Sequence, residues 1–183
     1  MKIKLNNVRL AFPALFEAKT VNGEGEPKFG ASLLIDPNDK ALIKSINAAI
    51  DAVAAEKWGA KAAAIVGLAR KTDKVALHDG DLKAQYDGFA GMLYVSANSA
   101  ARPVVVDRDK TPLVQADGKP YGGCYVNATV ELWAQDNKYG KRVNAQLLGV
   151  QFAADGDSFG ASSSGSADDF DDLAVGAEED ALV

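Results

Sequence analysis

The chain has 183 residues, 48% of them hydrophobic, which is enough for one domain with a real core plus an appendage. No run of about 18 apolar residues is present, so no helix can span a bilayer, and the start MKIKLNNVRL lacks an apolar signal core, from which a cytoplasmic location is expected. The net charge of −5 conceals a segregation: from Asp155 onward there are nine acids and no Lys or Arg, while residues 1–154 carry 20 basic against 16 acidic residues, a net of +4, which suits a body that meets a polyanion.

In chain order, residues 2–12 alternate loosely and predict a first strand ending before Pro13, with Lys2, Lys4 and Arg9 on or beside it. A turn cluster, Asn22-Gly23-Glu24-Gly25, precedes a second strand, Lys28 to Ile35, expected to pair with the first through a long loop. Asp36-Pro37-Asn38-Asp39 then supplies helix-capping residues. Leu42, Ile43, Ile46, Ala49, Ile50, Val53 and Ala54 recur at helical spacing, and Gly59 is the stop. Trp58 reads as a packing anchor. The alanine-rich stretch 60–69 predicts a shorter second helix, so the helical insertion covers about residues 38–70. Arg70, Lys71 and Lys74 follow as a basic cluster.

His78-Asp79-Gly80-Asp81 reads as a solvated turn, because it matches no EF-hand spacing and one His makes no zinc site. Tyr86, Phe89 and Tyr94 bring aromatic rings near a third strand, Met92 to Ala97. Arg102 to Asp107 is a short apolar strand, with Arg108 and Lys110 after it. The segment from Tyr121 to Phe152 is a long β-hairpin around Asp136-Asn137-Lys138-Tyr139-Gly140. On its first strand Cys124, Val126, Ala128, Val130 and Leu132 form a core face, while Tyr125, Asn127, Thr129, Glu131 and Trp133 form the other. The single cysteine, Cys124, excludes an internal disulfide and any multi-cysteine metal site. On the return strand Val143, Ala145 and Leu147 alternate with Arg142, Asn144 and Gln146, and a bulge is expected near Gly149. Beyond Asp155 the chain is rich in Ser, Gly, Ala and acids and predicts a disordered tail, 155–183. The class is mainly β with an α insertion, a small antiparallel barrel occupying residues 1–154.

Lys138, Tyr139, Lys141 and Arg142 place cations next to an aromatic ring at the hairpin tip. A single nucleic-acid strand needs both, cations for phosphates and flat apolar partners for unstacked bases. The candidate stacking residues are Trp133, Tyr125 and Tyr139, with Tyr86, Phe89 and Tyr94 in reserve. Arg102, Arg108, Lys138, Lys141 and Arg142 are the candidate phosphate contacts. The enzymatic alternative is a metal-dependent nuclease using Asp107 with Asp109, Asp79, Asp81 or Glu131, and the third reading is a noncatalytic protein-interaction module. With one His, no nucleophile elbow and no P-loop, no catalytic residue, metal ligand or cofactor is assigned.

Arg102–Asp107 (RPVVVD), Tyr121–Ala128 (YGGCYVNA), Gly149–Phe152 (GVQF) and the His78–Asp81 segment with Lys83, Tyr86 and Gly88 together resemble a family of phage single-stranded-DNA-binding proteins, over roughly residues 2–154. The resemblance implies an oligonucleotide/oligosaccharide-binding (OB) fold that coats single-stranded DNA in phage replication, recombination or repair, in the host cytoplasm. It leaves open whether Tyr121, Gly122 and Gly123 touch DNA or serve a barrel bend. Similar proteins of T7-like phages and of bacteria end in an acidic, aromatic-containing tail; separately, the nine acids here are expected to occupy the basic groove in competition with DNA and, once displaced, to recruit replication or recombination proteins. Here Asp168, Asp169, Phe170, Asp171 and Asp172 fit that design, followed by Glu178, Glu179 and Asp180, but the chain end lacks the terminal Phe of the T7 type and the Pro-Phe of the bacterial type. Duplex binding is expected once the tail is removed, and homo-oligomerisation stays open.

Overall fold

The computed structural model describes residues 1–21, 23–160 and 167–174. Within them the elements run β1 (Lys2–Val21), β2 (Glu24–Ile35), α1 (Lys40–Trp58), α2 (Ala62–Lys71), β3 (Leu77–Asp79), β4 (Leu93–Ser99), β5 (Val104–Val106), β6 (Tyr125–Asn137) and β7 (Gly140–Ala154). The strands hydrogen-bond in the order β3-β4-β2-β1-β6-β7-β5. A parallel pairing, Ala97 opposite Ala145 and Asn98 opposite Gln146, joins β4 to β7 and closes β1, β2, β4, β7 and β6 into a five-stranded barrel. Closure leaves those strands no free edge. This is the barrel with helical insertion that the strand pattern predicts and the OB architecture that the resemblance implies, except that its closing pair is parallel where an antiparallel barrel is expected. No helix among the described residues is long and apolar enough to cross a membrane.

The first strand departs from expectation. It does not stop before Pro13 but runs to Val21, pairing with β6 through Lys2–Arg9 and with β2 from Arg9 onward. Pro13 is tolerated because it falls at a register shift between Ala11 and Ala14, where the ladder is already broken and its missing N–H costs little. A second shift lies between Leu5 and Val8. The β1–β2 pairing continues to Val21 opposite Glu24, so no long loop separates the strands.

Between β2 and β4 the insertion forms as its capping residues dictate. Asp39 accepts a hydrogen bond from the Leu42 amide at 3.2 Å, and Gly59, at φ 54°, ends α1. Ile46, Ala49, Ile50, Val53 and Ala54 are buried and join Leu5, Val8, Val126, Val130 and Leu147 in the barrel core. Each large aliphatic side chain so buried contributes roughly 1.5–3 kcal/mol. Cys124 is fully buried in the same core. Trp58 packs against the core and donates from its indole N–H to Asp136 at 3.0 Å, and the Val143 amide donates to the Lys74 carbonyl at 3.1 Å. The insertion thereby props the β6–β7 hairpin from behind.

The hairpin pairs from Tyr125 opposite Ala154 to Asn137 opposite Gly140. Its register shifts where Thr129 faces Gly149 and Val130 faces Leu147, the bulge expected near Gly149. There β5 lies parallel to β7, Val104 opposite Gly149, so two of the resemblance segments are direct neighbours.

Past Ala154 the chain continues along the barrel. The Tyr121 hydroxyl donates to Asp155 at 2.7 Å, the Phe159 amide donates to the Gly122 carbonyl at 2.9 Å, and the Gly160 amide donates to Asp87 at 3.0 Å. Bare Cα positions make the room: a Cβ on Gly123 would meet the Asp157 carbonyl, and one on Gly88 would meet the Phe159 ring. The expectation of a disordered tail from Asp155 therefore does not hold for Asp155–Gly160, whose one aromatic ring has a socket. Residues 161–166 and 175–183, including Glu178, Glu179 and Asp180, lie outside the described residues. Among the other tail candidates Asp168, Phe170, Asp171 and Asp172 are exposed.

Candidate nucleic-acid interface

The outer wall formed by β2 and β4 runs between two loops, the β1–β2 turn with Glu24 and Gly25 at one end and the β6–β7 tip with Tyr139 at the other. Two depressions of about 640 Å³ each lie on it and share Lys28, Ser96 and Asn98. One is walled by Trp133, Tyr139, Arg142 and His78, the other by Phe12, Lys19, Lys83 and Tyr86, with Glu24 and Glu26 at its rim. Together they make one groove. Gly30 lies in it without a side chain, where a Cβ would collide with Asn98.

Trp133 is 46% exposed, Tyr139 74% and Tyr86 45%, as rings that meet flat ligands must be. The Trp133 end is preorganised by amide side chains. Asn144 donates to Gln135 at 2.9 Å, Gln135 donates to Asn137 at 3.2 Å, and the Asn137 side chain accepts from the Tyr139 amide at 2.9 Å. Lys138 sits over the Tyr139 ring, 5.0 Å from its centroid. Lys138 and Lys141 flank the hairpin tip, and Arg142 turns into the groove.

Other sequence candidates fall elsewhere. Tyr125 shares a strand face with Trp133 but is eight residues away, roughly 26 Å at strand spacing. Its ring is occupied by Arg9, 5.9 Å from the centroid, and by Gly156 of the returning chain. Phe89 and Tyr94 are 0% and 3% exposed and cannot stack on bases. They form a small core under the groove, because Phe89 packs edge-on against Tyr94 at 5.2 Å. Arg102 lies over Phe16, 5.6 Å from its centroid, beyond the end of β4. Arg108 follows β5 on a different side of the barrel, where its carbonyl accepts from Gln151 at 3.2 Å.

His78 is not in a solvated turn. It belongs to β3 opposite Tyr94, stacks on that ring at 4.9 Å, and pairs through Nδ1 with Asp73 at 2.6 Å. Burial, reinforced by Asp73 and Asp79, holds the Tyr94 hydroxyl above its ordinary pKa, so it stays neutral beside the groove.

Sequence reasoning missed Phe12, Lys28 and Lys83. Lys28 carried a signal, as the charged first residue of a predicted strand, but Phe12 carried none because its orientation depends on the bulge. The carboxylates of the nuclease alternative do not converge. Asp107 accepts from the Arg108 amide at 2.8 Å and from Lys119 at 3.0 Å, which keep it ionised below the usual carboxylate range. Asp79 accepts from the Asp81 amide, Asp81 from the Gly91 amide, and Glu131 is on β6. Among the described residues no group of three His, Cys, Asp or Glu could hold a metal ion.

Comparison with known proteins gives the family and the fold. Residues 1–182 match the family described as Enterobacter phage Enc34, ssDNA-binding protein. Protein p50 of Acyrthosiphon pisum secondary endosymbiont phage 1 is 50% identical over the full length of both chains. The single-stranded DNA-binding protein of bacteriophage Enc34, solved in complex with ssDNA, superposes with a TM-score of 0.73 at 30% identity, covering 87% of this chain and 89% of that one. The gp2.5 single-stranded DNA binding protein of bacteriophage T7 shares the fold, with a TM-score of 0.55 at 16% identity over 93% of this chain and 97% of its own.

Proposed function

The chain belongs to the Enterobacter phage Enc34 ssDNA-binding protein family, and from that membership we propose that its β2–β4 groove binds single-stranded DNA without regard to sequence. The family is one of binding proteins, not enzymes. The observation that carries the reading is the joining of exposed aromatic rings, Trp133, Tyr139 and Tyr86, with Lys28, Lys83 and Arg142 along one continuous groove. Rings stack on any base, at roughly 1–3 kcal/mol each, and cations contact phosphates that every sequence shares. Lys138 and Lys141 extend the phosphate track past the hairpin tip, and Arg102 and Arg108 lie outside it.

The setting is phage DNA replication, recombination or repair in the host cytoplasm. The acidic tail competes with DNA for the basic groove at high effective concentration and, once displaced, recruits replication or recombination proteins. The seven acids beyond Gly160, against a net charge of +2 on residues 1–160, support this role. Fluorescence anisotropy tests both parts, using the full chain and a chain ending at Gly160 with single- and double-stranded oligonucleotides across a salt series. Salt-sensitive, sequence-tolerant single-strand binding is expected, tighter without the tail and with duplex binding emerging. Failure of both chains to bind single strands would overturn the groove reading, and unchanged affinity on truncation would overturn the tail's role alone.

A further inference from the structure

Phe12 adopts φ 48°, in the left-handed region that glycine enters freely and a bulky aromatic residue rarely does. Asn7, at φ 54° in the other bulge of β1, is a residue type that tolerates this conformation; Phe12 is not. A strained position of this kind persists only where the surrounding structure holds it, and it marks places where a side chain must point somewhere unusual. Here the register shift between Ala11 and Ala14 turns the ring out of the barrel, leaving it 54% exposed. Tyr86 meets it edge-on, with centroids 5.0 Å apart and planes at 87°, and Phe89 supports it from below at 5.7 Å. Lys19, Lys28 and Lys83 line the same depression.

We propose that Phe12 and Tyr86 form a second base-stacking platform, so that one DNA strand is gripped by aromatic rings at both ends of the groove. This rests on the single-strand-binding reading above. Between the Trp133–Tyr139 pair and the Phe12–Tyr86 pair the floor is polar, with Ser32, Ser96 and Asn98. The register pairs Trp133 with Asn144, joins β7 to β4 through Asn98, and leads through Gly30 to Ala14 beside Phe12. Four strand spacings, about 19 Å, together with steps of two residues along β7 and along β1, separate the platforms around the wall. That separation fits the roughly 4–16 nucleotides that one barrel of this type covers. The occupants are unstacked bases, since the rings offer flat apolar faces and the lysines beside them suit phosphates.

The test measures oligothymidylate affinity and thermal stability for Phe12→Gly, Phe12→Trp, Tyr86→Ala and Trp133→Ala in the full chain. Phe12→Gly removes the ring and relieves the backbone strain together. It is expected to lower affinity about 5- to 100-fold with little change in melting temperature, while Phe12→Trp retains binding. A purely structural role would move the melting temperature and leave the affinity of the folded protein unchanged. Wild-type affinity in folded Phe12→Gly, with Trp133→Ala impaired, would overturn the second platform and leave the groove standing. Should Phe12→Gly not fold, Tyr86→Ala decides by the same criterion. No binding by the wild-type chain would overturn the groove and this platform with it.

Discussion

The Arg9 guanidinium lies 4.3 Å from the centroid of the Phe159 ring, while its Nε and Nη2 donate to the carbonyls of Gly123 and Asp157 at 2.9 and 2.8 Å. One side chain of β1 thus fastens the segment that leaves β7. The tail emerges at Gly160, close to Phe12 and Tyr86, which line the same small cavity.

A chain ending at Ala154 is therefore expected to be less stable than one ending at Gly160. The cation–π contact, the half-buried ring and five hydrogen bonds to the segment's backbone, less the entropy of ordering the segment, leave about 1–3 kcal/mol, or several degrees of melting temperature for a protein of this size. Phe159→Ala in the Gly160-terminated chain should reproduce most of that loss in a thermal melt. Equal melting of all three proteins would mean that the segment merely rests on the barrel.

Trp133 faces the groove, whereas Trp58 is packed behind the hairpin with its N–H on Asp136. Quenching of tryptophan fluorescence by oligothymidylate should persist in Trp58→Phe and vanish in Trp133→Phe. Trp133→Ala should weaken binding by about 1–3 kcal/mol. Quenching that survives Trp133→Phe would place the strand elsewhere.

The cations divide in the same way. Arg142 lines the groove and Arg108 does not. Arg142→Ala should reduce the slope of log affinity against log salt by about 0.7, the value of one phosphate contact on a single strand, whereas Arg108→Ala should leave it unchanged. Equal effects from the two substitutions would argue for diffuse attraction over a defined track.

Burial raises the pKa of the Cys124 thiol, which is enclosed by the barrel core. An unfolded cysteine ionises near about 8.5 and the buried one only above that, so the folded state holds the proton longer. Stability should consequently decline as pH rises past the unfolded value, and a thiol reagent at pH 8 should label the protein only in denaturant. Rapid labelling of the native protein would show that the barrel opens at the start of β6.

Alternation along Val126–Leu132 and Val143–Leu147 was sufficient to identify the hairpin, and the spacing of Ile46, Ile50 and Val53 identified α1. In each case a single buried face imposes its period on the local sequence. The bulge at Gly149, the Cys124 environment and the charge contrast between body and tail were legible for the same reason, being set by residues adjacent in sequence. The strand holding His78 exists only through pairing with β4, so its own sequence does not announce it, and nothing local distinguishes an aromatic ring beneath a groove, such as Phe89 or Tyr94, from one on it.

Position on the barrel surface was decided by tertiary structure. Tyr125 and Trp133 lie on one face of one strand, yet one is covered by Arg9 and the chain past Ala154, and the other lines the groove. Alternation reports which face a side chain takes, not what will lie over it, because that depends on register between strands far apart in sequence. The parallel joining of Ala97 to Ala145 closes the barrel, and the bulge at Phe12 turns its ring outward. Both arise from non-local pairing, and the groove exists only once that pairing brings β1, β2, β4, β6 and β7 around one core.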